Sequence, residues 1–249
     1  MGDLDLFIDD FRKVKSLGFQ ESRRSNSTGI GKTFEDLLGI AENNAQDPDL
    51  HGFEIKSQRA LSESYVTLFT KSPTMPKSAN TMLRLNYGSQ DEEYPDIKVL
   101  HTSIFHGRLN THIAGYRWTI EVSDTEERIY IVVCTPDGTV VNKETYFSYP
   151  AIVKAMSKLT NLAYVTAEKR VNQTNGREEF HFQNAVVCFG FKGLEHFIEF
   201  IKQGKIMFDI RVGAYKTGDK RGKTHDHGSG FRVKRENLPQ LYTRYEAIE

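Results

Sequence analysis

The stretch that decides the fold is Pro48-Asp49-Leu50-His51-Gly52-Phe53-Glu54-Ile55-Lys56. It contains an aspartate, four intervening residues and then a Glu-x-Lys sequence. Residues two apart on a β-strand point to the same face, so a strand over His51–Ser57 would project Glu54 and Lys56 together. Asp49 would reach the same place from the turn before the strand. The pattern therefore predicts two carboxylates and an ammonium group at the start of one strand.

These residue types suit a magnesium site. The carboxylates of Asp49 and Glu54, with the carbonyl oxygen of Ile55, are ligands for Mg²⁺, which takes a few oxygen ligands and keeps several waters. The ammonium of Lys56 would steady a water for in-line attack on phosphorus, and Glu35 on the preceding helix could supply a third carboxylate. We expect one or two Mg²⁺ ions, with Mn²⁺ as a candidate substitute and Ca²⁺ supporting binding without cleavage.

The motif has a structural alternative, because D-x4-E-x-K by itself occurs often by chance. The alternative is a solvated edge strand on which the glutamate and the lysine simply pair. The context favours the site: a glycine precedes the strand, and Phe53 and Ile55 alternate with the polar pair. A helix that carries a carboxylate also comes immediately before.

A second motif resembles a nucleotide-binding P-loop and is rejected. Thr28-Gly29-Ile30-Gly31-Lys32-Thr33 ends like Gly-x4-Gly-Lys-Ser/Thr, but Asn26 stands where the first glycine is needed. The polar run Glu21–Ser25 also occupies the place of the buried strand that precedes such a loop. We expect these glycines to give a tight entry into the helix that carries Glu35.

Length and composition exclude several classes of protein. The 249 residues, of which 38% are hydrophobic and 11% aromatic, can bury a core and do not resemble a disordered chain. No apolar run is long enough to span a membrane, and the acidic start of the chain does not resemble a secretory signal. Cys134 and Cys188 lie in apolar surroundings and indicate reduced core residues. We therefore expect a cytoplasmic protein with no membrane partner.

The formal net charge of zero hides an asymmetry along the chain. Residues 1–201 carry 22 Lys and Arg against 27 Asp and Glu, whereas residues 202–249 carry 11 against 6. A neutral protein with one basic end can still present a positive surface to a polyanion. The alternative is an ordinary solvated surface rich in lysine.

The predicted elements indicate a mixed α/β protein. Helical spacing of apolar residues predicts helices over 3–17, from 32 to about 40, and over 79–87, 149–159, 194–203 and 237–248. Alternation predicts strands over 51–57, 65–71, 163–171, 180–190, 206–212 and 231–234, and a hairpin formed by 115–123 and 128–135. The remaining long segment, 213–230, is expected to be a polar loop.

Two blocks of the chain resemble the MvaI/BcnI restriction endonuclease family and, more distantly, the mismatch-repair nickase MutH. The first block comprises Thr28–Ile40, Glu42-Asn43-Asn44 and Asp49–Ser57. The second comprises Phe208–Gly213 and His225–Arg232. Because the blocks lie near both ends, the resemblance spans most of the chain.

The resemblance implies a fold and a set of catalytic positions. The fold is the PD-(D/E)xK restriction-endonuclease-like core, a mixed sheet flanked by helices, with a C-terminal DNA-recognition lobe. Glu35, Asp49, Glu54 and Lys56 fall on the catalytic positions of the family. We expect residues 1–90 to form a catalytic lobe and residues 91–249 to supply the remaining sheet and the recognition lobe, with interleaving allowed.

The C-terminal block carries side chains suited to reading bases. Asp209 and Arg211 are two apart on a predicted strand, where arginine can bind guanine O6 and N7 and aspartate can accept from cytosine N4. The expected DNA contacts of the block, on base edges and on phosphates, are Asp209, Arg211, Lys216, Lys220, Arg221, Lys223, His225, His227 and Arg232. An alternative for His225-Asp226-His227 is a zinc site, since His-x-His can chelate a transition metal.

Together these features predict a Mg²⁺-dependent type II restriction endonuclease that binds double-stranded DNA and leaves 5′-phosphate ends. The resemblance implies a short pseudo-palindrome, CC, one A/T or C/G pair, then GG, which is CCWGG in its A/T form. It also implies a monomer without an obligatory protein partner that cuts the two strands in sequence. A MutH-like repair nickase and a non-catalytic DNA-binding module remain as alternatives. We expect the carboxylates to repel DNA until a divalent metal binds.

Overall fold

The structure is a computed structural model that describes residues 2–24, 29–40, 49–60 and 65–248. Parts of the sequence predictions, including the segments Asn26–Thr28 and Glu42-Asn43-Asn44, lie outside these described residues. In chain order, the helices and strands are α1 (Asp3–Ser16), β1 (Gln20–Glu21), α2 (Gly29–Leu37), β2 (Glu54–Arg59), β3 (Val66–Thr70), α3 (Ala79–Tyr87), β4 (Ser89–Gln90), β5 (Lys98–Ile104), β6 (Asn110–Thr111), β7 (Arg117–Ser123), β8 (Arg128–Cys134), β9 (Val140–Ser148), α4 (Tyr149–Met156), the 3-10 turn Ser157–Leu159, β10 (Asn161–Val171), β11 (Glu178–Phe191), α5 (Gly193–Lys202), β12 (Ile206–Ala214), β13 (Thr224–Asp226), β14 (Gly230–Val233), the 3-10 turn Arg235–Leu241 and β15 (Tyr242–Ile248).

The chain divides into two compact units. The first unit consists of residues 1–66, 157–192 and 235–249, and the second of residues 67–156 and 193–234. The single boundary expected near residue 90 therefore differs from this division, because three separate segments build the first unit. The last 15 residues belong to the first unit again, and residues 209–232, which were predicted to read bases and are called the base-reading block below, belong to the second.

A mixed sheet forms the centre of the first unit. Its strand order is β1-β11-β10-β2, and β15 pairs with β11 as well. The β10–β2 pair is parallel, with Leu162 opposite Glu54, and the other pairs are antiparallel. Helices α1 and α2 pack on this sheet, because their apolar stripe, including Phe7, Phe11 and Phe34, shares one core with the strands. A mixed sheet flanked by helices is thus confirmed.

Two further sheets form the second unit. One has the order β3-β14-β12-β5-β4 with β13 beside β12, and the other is the meander β6-β7-β8-β9. Aromatic rings fill the core: Phe231 contacts the rings of Phe69, Phe147, Phe197 and Phe208 at centroid distances between 5.0 and 5.4 Å. These contacts hold β14 and β12 in place, and both strands carry the base-reading block.

Most predicted elements are confirmed to within a few residues, among them α1, α3, α5 and the β7–β8 hairpin. The second helix begins at Gly29, earlier than expected, and β1 lies before it in a segment for which no strand was predicted. At Gly29 a Cβ atom would come within 2.3 Å of the Arg24 carbonyl oxygen, so the tight helix entry requires glycine there. Strands β5 and β9 were not predicted, and β13 lies within the predicted loop 213–230.

The predicted helix over 237–248 is wrong. A 3-10 turn ends at Leu241, and Tyr242–Ile248 forms β15, paired antiparallel with β11 from Ala185 to Phe191. Leu238, Leu241 and Ile248 are buried at positions that also fit a helical period. Pairing with the free edge of β11 decides the outcome, because local propensity is a weak prior against tertiary contacts.

Both cysteines are buried and unpaired by disulfides, as expected. Burial raises the pKa of the Cys188 thiol to about 12, so the residue acts as a small apolar core residue at neutral pH. No helix in the described part of the chain is long and apolar enough to cross a membrane.

Candidate catalytic centre

A two-residue turn explains the spacing of the acidic motif. Leu50 and Phe53 exchange backbone hydrogen bonds of 3.1 and 2.8 Å across His51 and Gly52, whose φ angles are 47° and 76°. Positive φ at both central residues is the signature of a type I′ turn, which favours glycine. Because the chain reverses within these four residues, Asp49 comes to lie beside the start of β2. A hydrogen bond of 2.9 Å between His51 Nε2 and Asp10 Oδ2 ties the turn to α1.

The turn brings Asp49 into direct contact with β2. Its Oδ2 accepts a hydrogen bond of 2.8 Å from the backbone N–H of Ile55. Although Asp49 as a residue is exposed, burial of its carboxylate, and after it the negative charge of Glu54, raises the pKa of Asp49. Two carboxylates held this close repel each other, and a cation placed between them would relieve that repulsion.

Glu54 is the most buried charged side chain of this cluster, with 1% of its surface exposed. Its Oε1 accepts a hydrogen bond of 2.5 Å from Lys56 Nζ and forms an ion pair with Lys158 Nζ at 2.7 Å. Its Oε2 is buried and has no hydrogen-bond partner among the described residues. Burial of a carboxylate oxygen without a hydrogen-bond partner costs free energy of folding. A cation bound at Oε2 would offset this cost.

The donor set fits a hard divalent cation. Ile55 donates its N–H toward Asp49, away from β10, and the carbonyl of a strand residue points to the same side as its N–H. The Asp49 carboxylate and the Ile55 carbonyl therefore lie at one edge of β2, and Glu54 Oε2 is a further oxygen donor on the adjacent residue. Oxygen donors of this kind suit Mg²⁺, which keeps several waters and needs few protein ligands, although the described residues contain no group of three His, Cys, Asp or Glu side chains for a metal. Glu35 lies half-buried in α2, which packs against β2.

Lys158 was not predicted from the sequence. It lies in the 3-10 turn Ser157–Leu159, more than a hundred positions after Glu54, and no local pattern marks it. It reaches the centre because its turn leads into β10, the parallel neighbour of β2. Only the pairing of these two strands reveals a second lysine at this carboxylate.

In the second unit, Asp209 contacts both arginines of the base-reading block. Arg211 Nε donates to Asp209 Oδ2 at 2.6 Å, which confirms that the two share a face of β12. Arg232 Nε lies 2.9 Å from the same oxygen, in an ion pair without hydrogen-bond geometry. The guanidinium of Arg232 also donates to Thr67 Oγ1 at 2.6 Å and to the Gly228 carbonyl at 3.0 Å. Burial lowers the pKa of Arg232.

The histidine rings of the block contact one another and a tyrosine. His225 stacks on Tyr215 with centroids 4.6 Å apart, and its ring is tilted against that of His227 at 4.4 Å. Partial burial, and after it the neighbouring His225 and His101, lowers the pKa of His227. Asp226 accepts from Asn80 and from the backbone N–H groups of residues 228 and 229. Nothing in the described residues groups three His, Cys, Asp or Glu side chains for a metal, so the zinc alternative gains no support.

The basic loop of residues 215–223 is partly neutralised by an acidic segment. Arg221 forms a bidentate ion pair with Asp96 at 2.7 and 2.9 Å, and Lys216 lies 3.0 Å from Asp91. The other two predicted phosphate contacts, Lys220 and Lys223, make no ion pair with a carboxylate of the described residues. Lys220 instead lies over the ring of Tyr215, 5.4 Å from its centroid.

Comparisons with known proteins agree on one family. The family model described as the MvaI/BcnI restriction endonuclease family matches residues 8–242. A structure titled restriction endonuclease MvaI–cognate DNA substrate complex is 33% identical, covers 99% of this chain and 98% of its own, and has a TM-score of 0.89. The same endonuclease in the absence of DNA is also 33% identical, covers 100% and 98%, and has a TM-score of 0.63. No curated protein sequence gives a significant match. At 33% identity this chain is a relative of that endonuclease and not the same protein.

Proposed function

We propose a specific activity from the premise that this chain belongs to the MvaI/BcnI restriction endonuclease family. It is a restriction endonuclease of that family, and we infer that it hydrolyses double-stranded DNA with Mg²⁺ at a short G/C-rich pseudo-palindrome. The observation that carries the proposal is Glu54, a buried carboxylate with one oxygen beside two lysines and the other without a hydrogen-bond partner among the described residues. The target CCWGG is the first sequence to test, because the DNA-bound relative is MvaI.

Each residue of the centre has a role in this reaction. Asp49, Glu54 and the Ile55 carbonyl would hold the ion, which supplies charge neutralisation and a more acidic water. Lys56 positions the attacking water through its remaining ammonium donors. The water oxygen would bond to phosphorus and lose a proton to solvent as the P–O3′ bond breaks, and the departing 3′ oxygen would take up a proton from solvent, which leaves a 5′-phosphate and a 3′-hydroxyl. Glu35, on the helix next to β2, would orient a water at the same centre.

The second unit would supply the specificity. Arg211 and Arg232, with Asp209 between them, present the donors and acceptor that suit G·C pairs in the major groove. His225 and His227 would add ring nitrogens, and Lys216, Lys220, Arg221 and Lys223 would contact phosphates. The protein would act in the cytoplasm as a monomer that cuts one strand and then the other.

A plasmid assay tests this activity. Incubation of a plasmid carrying CCWGG sites with protein and Mg²⁺ should give discrete fragments with 5′-phosphate termini, and sequencing those termini gives the cut position. Lys56→Ala should slow single-turnover cleavage by about a hundredfold or more, because it removes the group that holds the water. Equal cutting by Lys56→Ala, or no fragments from the native protein, would sink the proposal.

The same assay separates the alternatives. A monomer that cuts in sequence should build up nicked circles before linear DNA appears, in contrast to a two-fold dimer that matches a palindrome. A repair nickase would leave one strand intact at the end of the reaction. A non-catalytic binding module would bind the plasmid equally with Mg²⁺, Mn²⁺ or Ca²⁺ and cut it with none of them.

A further inference from the structure

We propose that Lys158 is a positioning residue of the catalytic centre, holding Glu54 by its Oε1 so that Lys56 is released for the attacking water. This inference rests on the proposed function and assigns a second lysine to the same centre. Lys158 also acts before any metal binds, because its positive charge offsets part of the carboxylate charge that would otherwise repel DNA.

The shared oxygen is the first argument. Lys56 donates a hydrogen bond of 2.5 Å to Oε1 of Glu54, and Lys158 Nζ forms an ion pair with the same oxygen at 2.7 Å. If Lys56 turns toward the attacking water, its hydrogen bond to Oε1 weakens, and a carboxylate that is 1% exposed cannot replace the loss with solvent. Lys158 keeps Oε1 in an ion pair throughout, and with Oε1 fixed, Oε2 remains available to a cation.

The anchoring of Lys158 is the second argument. Its 3-10 turn ends in Leu159, which is fully buried, and continues into β10 with Leu162 in register with Glu54. The backbone of Lys158 is therefore fixed relative to β2. The side chain itself remains 31% exposed, so the ammonium faces both the buried carboxylate and solvent. An ammonium group in this position can change the electrostatic potential that an approaching phosphate meets.

The charge balance is the third argument. Asp49, Glu54 and Glu35 give the proposed centre three carboxylates, and Lys56 and Lys158 give it two ammonium groups. The sequence showed only one of the two lysines, and this led to the expectation that the centre repels DNA until metal arrives. With both lysines in place, the carboxylates outnumber the ammonium groups by one instead of two, so a phosphate that approaches the metal-free centre meets a smaller net repulsion from this group.

Three variants of the full chain test the proposal. Lys158→Met removes the charge but keeps the length of the side chain, and Lys158→Arg restores the charge. Lys169→Met is the matched control, because Lys169 pairs with Glu178 in the same unit and its side chain is 32% exposed. Three quantities are measured: the single-turnover rate at saturating Mg²⁺ and DNA, the Mg²⁺ concentration that gives half of that rate, and the affinity for cognate DNA in EDTA. Thermal unfolding of each variant is recorded alongside.

We expect Lys158→Met to lower the cleavage rate and to leave the Mg²⁺ requirement nearly unchanged. Lys158→Met should cut about tenfold to a hundredfold more slowly, while the Mg²⁺ concentration for half-maximal rate changes by less than about threefold. Its metal-free DNA affinity should fall by roughly twofold to tenfold, since one cation near the phosphate is lost. Lys158→Arg should recover most of the rate and of the affinity, and Lys169→Met should match the native protein.

Two outcomes would overturn the proposal. One is a Lys158→Met variant that matches the native protein in rate and in metal-free binding. The other is a slow Lys158→Met variant with a lowered unfolding midpoint, unchanged metal-free binding and no rescue by arginine, which would show a role in stability alone. If the native protein itself does not cut DNA, the proposed function fails, and the binding measurement in EDTA still decides the charge role of Lys158.

Discussion

Arg211 and Arg232 contact the same oxygen of Asp209 but differ in how much solvent their side chains reach. The side chain of Arg211 is 47% exposed and that of Arg232 is 10% exposed. An exposed ion pair contributes little to stability, whereas removing one partner of a buried pair leaves an uncompensated charge. We therefore expect Arg232 to contribute more to stability than Arg211, although nothing in the sequence distinguishes the two.

Alanine substitutions should separate the two roles. Arg211→Ala should change the free energy of unfolding by less than about 1 kcal/mol and abolish discrimination of the cognate site. Arg232→Ala should lower the free energy of unfolding by about 1–3 kcal/mol, because Thr67 and the Gly228 carbonyl lose a buried donor while Asp209 keeps its hydrogen bond from Arg211. Urea unfolding and competition binding with a site carrying one G·C to A·T change measure both. Equal stability losses in the two variants would contradict this assignment.

Contacts between residues that lie close along the chain could be predicted from the sequence. The contact of Arg211 with Asp209 follows from a spacing of two on a strand, and the contact of Asp49 with β2 follows from the turn between them. The sequence patterns missed Lys158, and they missed Asp91 and Asp96 as partners of the basic loop. Those pairs are set by how distant segments pack, which residue spacing does not encode.

At the scale of elements, the turn Leu50–Phe53 sets the geometry of the catalytic centre. Gly52 has a φ of 76°, and a Cβ atom there would meet only Asp3 Oδ2, at an ordinary 3.6 Å. The cost of a side chain is therefore backbone strain and not a clash. Gly52→Ala should lower the free energy of unfolding by about 1–2 kcal/mol and slow cleavage at least tenfold, since small displacements of a ligand are costly to catalysis.

Gly18 provides the matched control for this turn. It follows α1 in the same unit, has a φ of 67°, and a Cβ atom there would meet nothing within 4 Å. Gly18→Ala should lose a similar amount of stability in urea unfolding while it keeps the native rate of single-turnover cleavage. If both variants cut equally well, the turn does not position Asp49 for the reaction.

The C-terminal segment shows where prediction of elements fails. The apolar positions of residues 237–248 satisfy a helical period, yet Tyr242–Ile248 is a strand because β11 offers it a pairing edge. By contrast, α1 is a helix as predicted, because its apolar stripe packs against a face of the sheet. A periodic pattern identifies the buried face of an element, and the neighbour that covers this face selects between helix and strand when both fit.

At the scale of the whole molecule, the net charge of zero includes pairs formed within the second unit. The basic excess of residues 202–249 predicted a positive surface, but two of its cations are bound by Asp91 and Asp96. A carboxylate beside a cation lowers the potential that a DNA phosphate meets. Asp91 and Asp96 should therefore weaken DNA binding and reduce its dependence on salt.

Removing the two carboxylates tests this limit. The double variant Asp91→Asn with Asp96→Asn should bind DNA roughly threefold to tenfold more tightly at low salt, with a salt slope steeper by up to about 2, because two more cations release counterions from DNA. Asp124→Asn is the control, since Asp124 pairs with Lys202 in the same unit. Equal gains per charge in both variants would mean that net charge alone, and not release of Lys216 and Arg221, controls binding.

The residue patterns alone were enough for the family and the mixed α/β class, and they predicted the local part of the proposed catalytic centre. Asp49, Glu54 and Lys56 lie within eight residues, so a turn and a strand suffice to bring them together. Only the tertiary structure decided that Lys158 joins them, that β15 is a strand, and that the basic loop is half neutralised. Each of these depends on contacts between segments far apart in the chain, whose energy comes from the burial and pairing of the partner and is absent from any local pattern.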